Sequence, residues 1–135
     1  MAMKKPKGEI RIPAGVSIWK HELDTANVLA AAGYVIEFLA SRNVQNNKSA
    51  DIVINGEEWE LKAPKSDRLA AIERNLKRAT KQSSNIVIDS RRMSKLHDKT
   101  IQQFLIQKLQ QQKTIKKLLF INRKHELIDI NKIDW

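Results

Sequence analysis

Cysteine is absent from the 135-residue chain, which excludes disulfides and thiolate metal sites and suits a reducing or redox-indifferent compartment. Histidine is scarce: His21, His97 and His125 are scattered, without the spacing of a zinc site. Four glycines and three prolines leave little room for low-complexity linkers, and only seven residues are aromatic (three Trp, one Tyr, three Phe). Base stacking is therefore a limited resource. No apolar run approaches the ~20 residues of a membrane-spanning helix, and the basic residues 1–8 lead into polar sequence, so a signal peptide is not expected. The chain reads as one soluble domain, long enough for a real core.

Acidic residues are also in the minority: 15 against 25 lysines and arginines, a net charge of +10 with a pI near 10.0. Such a balance points to a polyanionic partner. From Lys62 to Arg92 nine basic residues face only three acidic ones. The stretch just before this basic run carries carboxylates instead.

That stretch, residues 50–64, reads ADIVINGEEWELKAP. Asn55-Gly56 between two β-prone runs predicts a hairpin with a two-residue type I′ turn. The register then sets Ile54 against Glu57, Val53 against Glu58, Ile52 against Trp59 and Asp51 against Glu60. By alternation Asp51, Glu58, Glu60 and Lys62 share one face, and Ile52, Ile54, Trp59, Leu61 and Ala63 the other. Opposed carboxylates across a hairpin repel, at up to about 1 kcal/mol, and a hard divalent cation between them reverses the sign. Lys62 adds a fixed positive charge. An ordinary solvated strand face is the plain alternative.

The rest of the chain predicts an α/β or α+β fold with a mixed sheet. Residues 1–16, with two prolines and two glycines, read as an arm or linker, leaving residues 17–135 as the domain. A first helix is expected from an N-cap at Ser17 to about Ala32, with Trp19, Leu23, Ala26 and Ala30 inward and Gly33 ending it. Glu22 lies on its first turn, where it would complement the helix dipole. A strand over residues 34–39, a polar loop over 41–49 and the hairpin follow, with Pro64 ending the hairpin's second strand. A helix capped by Ser66 reaches about Lys81, with Leu69, Ile72, Leu76 and Ala79 as its core stripe. Arg74, Lys77, Arg78 and Lys81 lie off that stripe, as a solvated face or as contacts to a phosphate backbone. Residues 85–89 predict a buried parallel strand, residues 94–112 a third helix, and 117–122 with 125–130 a closing hairpin.

Asp51, eight intervening residues and Glu60-Leu61-Lys62 resemble the signature of PD-(D/E)XK nucleases. Ala50 stands where that signature has proline, a common departure. The resemblance implies a restriction-endonuclease-like core, a mixed central sheet flanked by helices, with Glu22 where many members place a further acidic residue. The segments SADIVINGEEWELKAP and IERNLKRATKQSSNIVID look like the C-terminal tRNase toxin domain of contact-dependent growth inhibition proteins, a likeness over residues 7–135. It implies metal-dependent cleavage of tRNA and a cognate immunity protein, which the basic charge suggests is acidic. It also implies action in the cytoplasm of a target cell, after delivery as the end of a larger secreted protein. On this reading Asp51, Glu60 and Glu22 hold Mg2+ (Mn2+ and Zn2+ fit the same ligands) and Lys62 assists. Arg74, Lys77, Arg78 and Lys81 grip the backbone, and Asn75, Gln82 and Ser83, within the second segment, line the substrate side. The residues themselves leave three alternatives open: a DNA endonuclease, a non-catalytic nucleic-acid-binding module, or a basic face that docks an acidic protein.

Overall fold

The computed structural model describes residues 8–39 and 51–133; the loop expected over residues 41–49 lies outside the described residues. Among the described residues, seven strands form one mixed sheet whose spatial order follows the chain: β1 (Glu9–Arg11), β2 (Val35–Phe38), β3 (Ile52–Ile54), β4 (Glu57–Lys62), β5 (Asn85–Asp89), β6 (Lys117–Ile121) and β7 (Leu127–Asp129). Helices α1 (Lys20–Ala31), α2 (Leu69–Thr80) and α3 (Asp98–Gln111) make the crossovers that the parallel pairs β1–β2, β4–β5 and β5–β6 require. The remaining pairs are antiparallel.

Asn55 and Gly56 have φ of 48° and 87°, the left-handed pair that a type I′ turn demands. The hairpin pairs Ile54 with Glu57, Val53 with Glu58 and Ile52 with Trp59, as its turn chemistry predicts. Nothing lies within 4 Å of a Cβ built on Gly56, so only backbone strain opposes a side chain there. Gly56→Ala is expected to lower stability by about 1 kcal/mol, a fall in Tm of a few degrees by thermal unfolding.

The two faces carry separate cores. Ile52, Ile54, Trp59 and Leu61 join Val87, Leu119 and Ile121 beneath Ala26 and Leu29 of α1. Ile86, Ile88, Leu118 and Phe120 pack under Ile72, Leu76 and Ala79 of α2 and Ile101 and Leu105 of α3. All five residues of β5 are buried, as befits a strand flanked by parallel neighbours and covered on both sides.

Several expectations need correction. The supposed N-terminal arm contributes β1, and Gly8 donates its N–H to Ala30 O at 2.9 Å. A Cβ on Gly8 would stand 1.9 Å from Tyr34 O, so the arm docks because glycine permits the approach. Helix α1 starts two residues later than predicted, and its inward face is rotated: Ala26 is buried as expected, Trp19 and Leu23 are not. Trp19 is 69% exposed and Leu23 36%, while Glu22, Thr25, Ala26 and Leu29 are buried. Nor does Ser66 cap α2, whose N-cap is Arg68. Neighbouring Asp67 instead caps a turn ahead of α3, accepting from the N–H groups of Ser94, Lys95 and Leu96 and from Ser94 Oγ. Those donors hold its carboxyl well below the usual carboxylate range. The same turn delays α3 to Asp98.

Candidate metal and nucleic-acid site

Asp51 sits just before β3 and extends the hairpin ladder, its N–H donating to Trp59 O at 3.2 Å. Its Oδ2 accepts from the N–H of Leu61 at 3.0 Å, which pins the carboxylate beside Glu60. Glu60 and Lys62 register with Ile86 and Ile88 of β5, placing both on the face that α2 and α3 cover. Glu60 is consequently only 5% exposed.

A carboxylate in that position is poorly served. Lys62 Nζ lies 3.4 Å from Glu60 Oε2, and Oε1, buried, has no donor. Burial first, and the neighbouring Asp51 carboxyl second, push Glu60 up to about 8, with Lys62 opposing. A carboxyl group held that high keeps its proton at neutral pH beside the Asp51 carboxyl. Two adjacent carboxyl groups, one with an oxygen lacking a donor, are hard-oxygen donors of the kind divalent cations take.

Glu22 is not gathered with this pair. It belongs to α1, which packs on the opposite face of the sheet, and its Oε1 accepts from the N–H of Trp19 at 3.3 Å, helping to cap the helix. Among the described residues no three Asp, Glu or His side chains come together closely enough to cage an ion. Further ligands on the Asp51–Glu60 pair would then be water or phosphate oxygen.

The polar residues around α2 divide into two sets. Arg74, Lys77, Arg78 and Lys81 are exposed, free to face a polyanion. Asn75 spends its amide N–H on Ala71 O at 2.7 Å. Ser83 donates through Oγ to Glu58 O at 2.9 Å and accepts from the N–H of Asn85 at 3.1 Å, joining the starts of β4 and β5. Gln82 lies beside Ser83, where its N–H donates to Ala79 O. Because α2 runs back along the parallel strands, Lys81, Gln82 and Ser83 end at the edge opposite Lys62. The structure therefore does not assemble all the expected substrate residues around the carboxylates.

A second polar cluster escaped the sequence reading. Asp89, buried at the end of β5, accepts from Thr25 Oγ1 at 2.6 Å and from Arg91 at 2.7 Å. Arg92 donates to Ala63 O at 3.0 Å. Asp89, Arg91 and Arg92, with His21, Asp24 and His125, line a hollow of about 240 Å³ that reaches Ala63, one residue beyond Lys62. The available signal was Asp89-Ser90-Arg91-Arg92 at the carboxyl end of a parallel strand, where open α/β sheets bind ligands.

Fold and site together define a mixed α+β domain, its sheet flanked by helices, with a carboxylate–lysine hairpin at the centre. A family model described as the contact-dependent growth inhibition CdiA C-terminal domain matches residues 48–127, and the chain belongs to that family. Among solved structures, a chain of the CdiA-CT/CdiI toxin and immunity complex from Burkholderia pseudomallei is similar to it. That match has a TM-score of 0.64 at 21% identity and covers 88% of this chain and 92% of the other; the likeness is one of fold. No match was found among curated protein sequences. Among the described residues, no helix is long and apolar enough to cross a membrane.

Proposed function

We propose that this domain is a toxin ribonuclease that cleaves tRNA with a divalent cation, Mg2+ or Mn2+, on a PD-(D/E)XK-type core, and that an immunity protein neutralises it. The observation that carries the reading is the buried Glu60, pressed against Asp51, with one oxygen lacking a donor and Lys62 two residues on. A solvated strand face, the plain alternative, would leave Glu60 exposed.

Asp51 and Glu60 would hold the cation, which when bound polarises a phosphate oxygen and acidifies a water. Glu22, on the far face of the sheet, would reach that shell only through a water, and its direct work is to hold the start of α1. Lys62 offers its ammonium to charge building on the scissile phosphate. Arg74, Lys77, Arg78 and Lys81 grip the backbone by charge, so affinity falls steeply with salt. Asn75, within α2 and bonded to Ala71 O, and Gln82 and Ser83, just past its end, shape that surface more than they touch RNA. With few aromatics, recognition rests on the shape and phosphates of a folded RNA. The net charge of +10 suits an acidic immunity protein, and family membership suits delivery at the end of a larger secreted protein into the target cytoplasm.

Incubation with total tRNA and Mg2+ tests this reading. Wild type should yield discrete fragments, lost with EDTA, in Asp51→Ala and in Lys62→Ala. Fragments persisting in both variants would move the site elsewhere, and cleavage of duplex DNA alone would replace the substrate.

A further inference from the structure

The hollow beside Ala63 is one end of a longer trough. A larger hollow of about 510 Å³ is lined by Asp24, Asn27, Val28, Ala31, Ala32, Arg91, His125 and Leu127. The two share Asp24, Arg91 and His125, so the trough runs from the end of β4 along α1. Its larger part falls within the size range of small-ligand sites, which are mostly apolar with a few fixed polar groups.

The trough is nearly neutral in a strongly basic protein. Arg91 is committed to Asp89 through three contacts of its guanidinium, at 2.7, 3.0 and 3.2 Å. Asp24 is held below its ordinary range, chiefly by its hydrogen bond to Lys20, and stays charged. A site for phosphate would show an excess of positive charge, which these pairings remove. Val28, Ala31, Ala32 and Leu127 supply instead an apolar wall for a flat ring, and the imidazole of His125 a surface on which to stack. Asp24 and Asn27 supply an acceptor and an amide at its edge.

We propose that this trough is a nucleobase site, taking a guanine splayed out of an RNA whose backbone passes the carboxyl end of β4. The inference rests on the ribonuclease reading above and names the part of the substrate that the enzyme selects. Guanine follows from Asp24: among the four bases only guanine presents two adjacent N–H donors, N1–H and N2–H, to one carboxylate. The Lys20 contact on Asp24 Oδ2, at 3.0 Å, is exposed, with the lysine side chain 90% accessible, and yields readily to a better partner. Arg92, which donates to Ala63 O at 3.0 Å, and Ala63 line the end of the trough nearest the carboxyl end of β4.

The test is titration of the whole domain with GMP, AMP, CMP and UMP in EDTA, read by amide chemical shifts, so that binding is measured apart from cleavage. GMP should bind about tenfold more tightly than the others and perturb residues of the trough. Asp24→Asn should abolish the preference, and Asn27→Ala, an exposed position that folding tolerates, should weaken GMP several-fold. Equal shifts from all four nucleotides, or GMP binding unaltered in both variants, would overturn the proposal. GMP selectivity without any tRNA cleavage would remove the ribonuclease reading and leave the base site standing. Cleavage without GMP binding, with cut positions unaltered in Asp24→Asn, would do the reverse.

Discussion

Glu60→Gln should abolish RNA cleavage and at the same time stabilise the metal-free protein. The side chain is buried against Asp51, and its pKa rises from 4.5 to about 8 on folding. Below pH 4.5 both folded and unfolded chains carry the proton, and the group adds nothing to the balance. Between 4.5 and 8 the folded chain keeps a proton that the unfolded chain has released, so stability falls as pH rises through this window. Above 8 the folded state bears the full cost of a buried negative charge at Glu60 beside Asp51. Glutamine keeps the shape, carries no charge and can donate to Asp51. The expected gain at pH 9 is on the order of 2 kcal/mol, read by urea unfolding in EDTA, and it should vanish near pH 4. Activity should fall by about 10³-fold or more, the scale on which lost charge stabilisation acts. Equal stability of the two proteins at pH 9 would mean that Glu60 is not strained by its neighbour, and the argument for a cation seat would lose its physical basis. In wild type, addition of Mg2+ near pH 7 should release protons, because cation and proton compete for the same carboxyl group.

This strain could be read in advance because the hairpin is specified locally. Asn55-Gly56 sets the turn, the turn sets the register, and alternation places Asp51 and Glu60 side by side. What the residues did not reveal was which face of β4 is covered, and therefore that Glu60 is buried. That depends on α2 and α3 packing over Ile86 and Ile88, a consequence of topology. Helix α2 was equally legible, since Ile72, Leu76 and Ala79 recur at helical spacing. Its first turn was not, because Asp67 points across to residues 94–96, twenty-seven and more positions along the chain.

The failure at α1 has a single physical origin. Hydropathy favoured burial of Trp19 and Leu23, but Thr25 and Glu22 turn inward because polar partners await them. A pattern search sees apolar residues and misses a buried hydroxyl whose acceptor, Asp89, lies 64 residues away. The strand β1 was missed because three residues, two of them charged, give no alternation long enough to read. The trough was out of reach for the same reason: its walls come from residues 21–32, 63, 89–92 and 125–127, which meet only in the folded chain.

Asp89 is the junction of those segments, and Asp89→Ala should be the most destabilising single change in the domain outside the apolar core. The carboxylate accepts from Thr25 Oγ1 at 2.6 Å, from the N–H of Arg91 at 3.1 Å and from its guanidinium at 2.7 Å. Asp89 and Arg91 side chains are only 5% and 17% exposed, so alanine leaves a largely buried cation without its acceptor, and Thr25 Oγ1 falls back on His21 O, 3.0 Å away. Breaking a buried pair from one side costs about 3–5 kcal/mol, and the lower figure applies because Arg91 retains some access to water. For a chain of this size that is a fall in Tm of roughly 10 °C. Arg91 would also be released into the trough, changing it from nearly neutral to positive. Asp89→Ala should then weaken GMP selectivity and strengthen non-specific, salt-sensitive RNA binding, measured at a temperature where the variant stays folded. Replacing Arg91 as well should recover part of the lost stability, since the double variant no longer buries an unpaired charge. If Asp89→Ala and wild type melt together, the link between α1 and β5 through Thr25 carries little of the fold, and the trough would have to be held by its apolar wall alone.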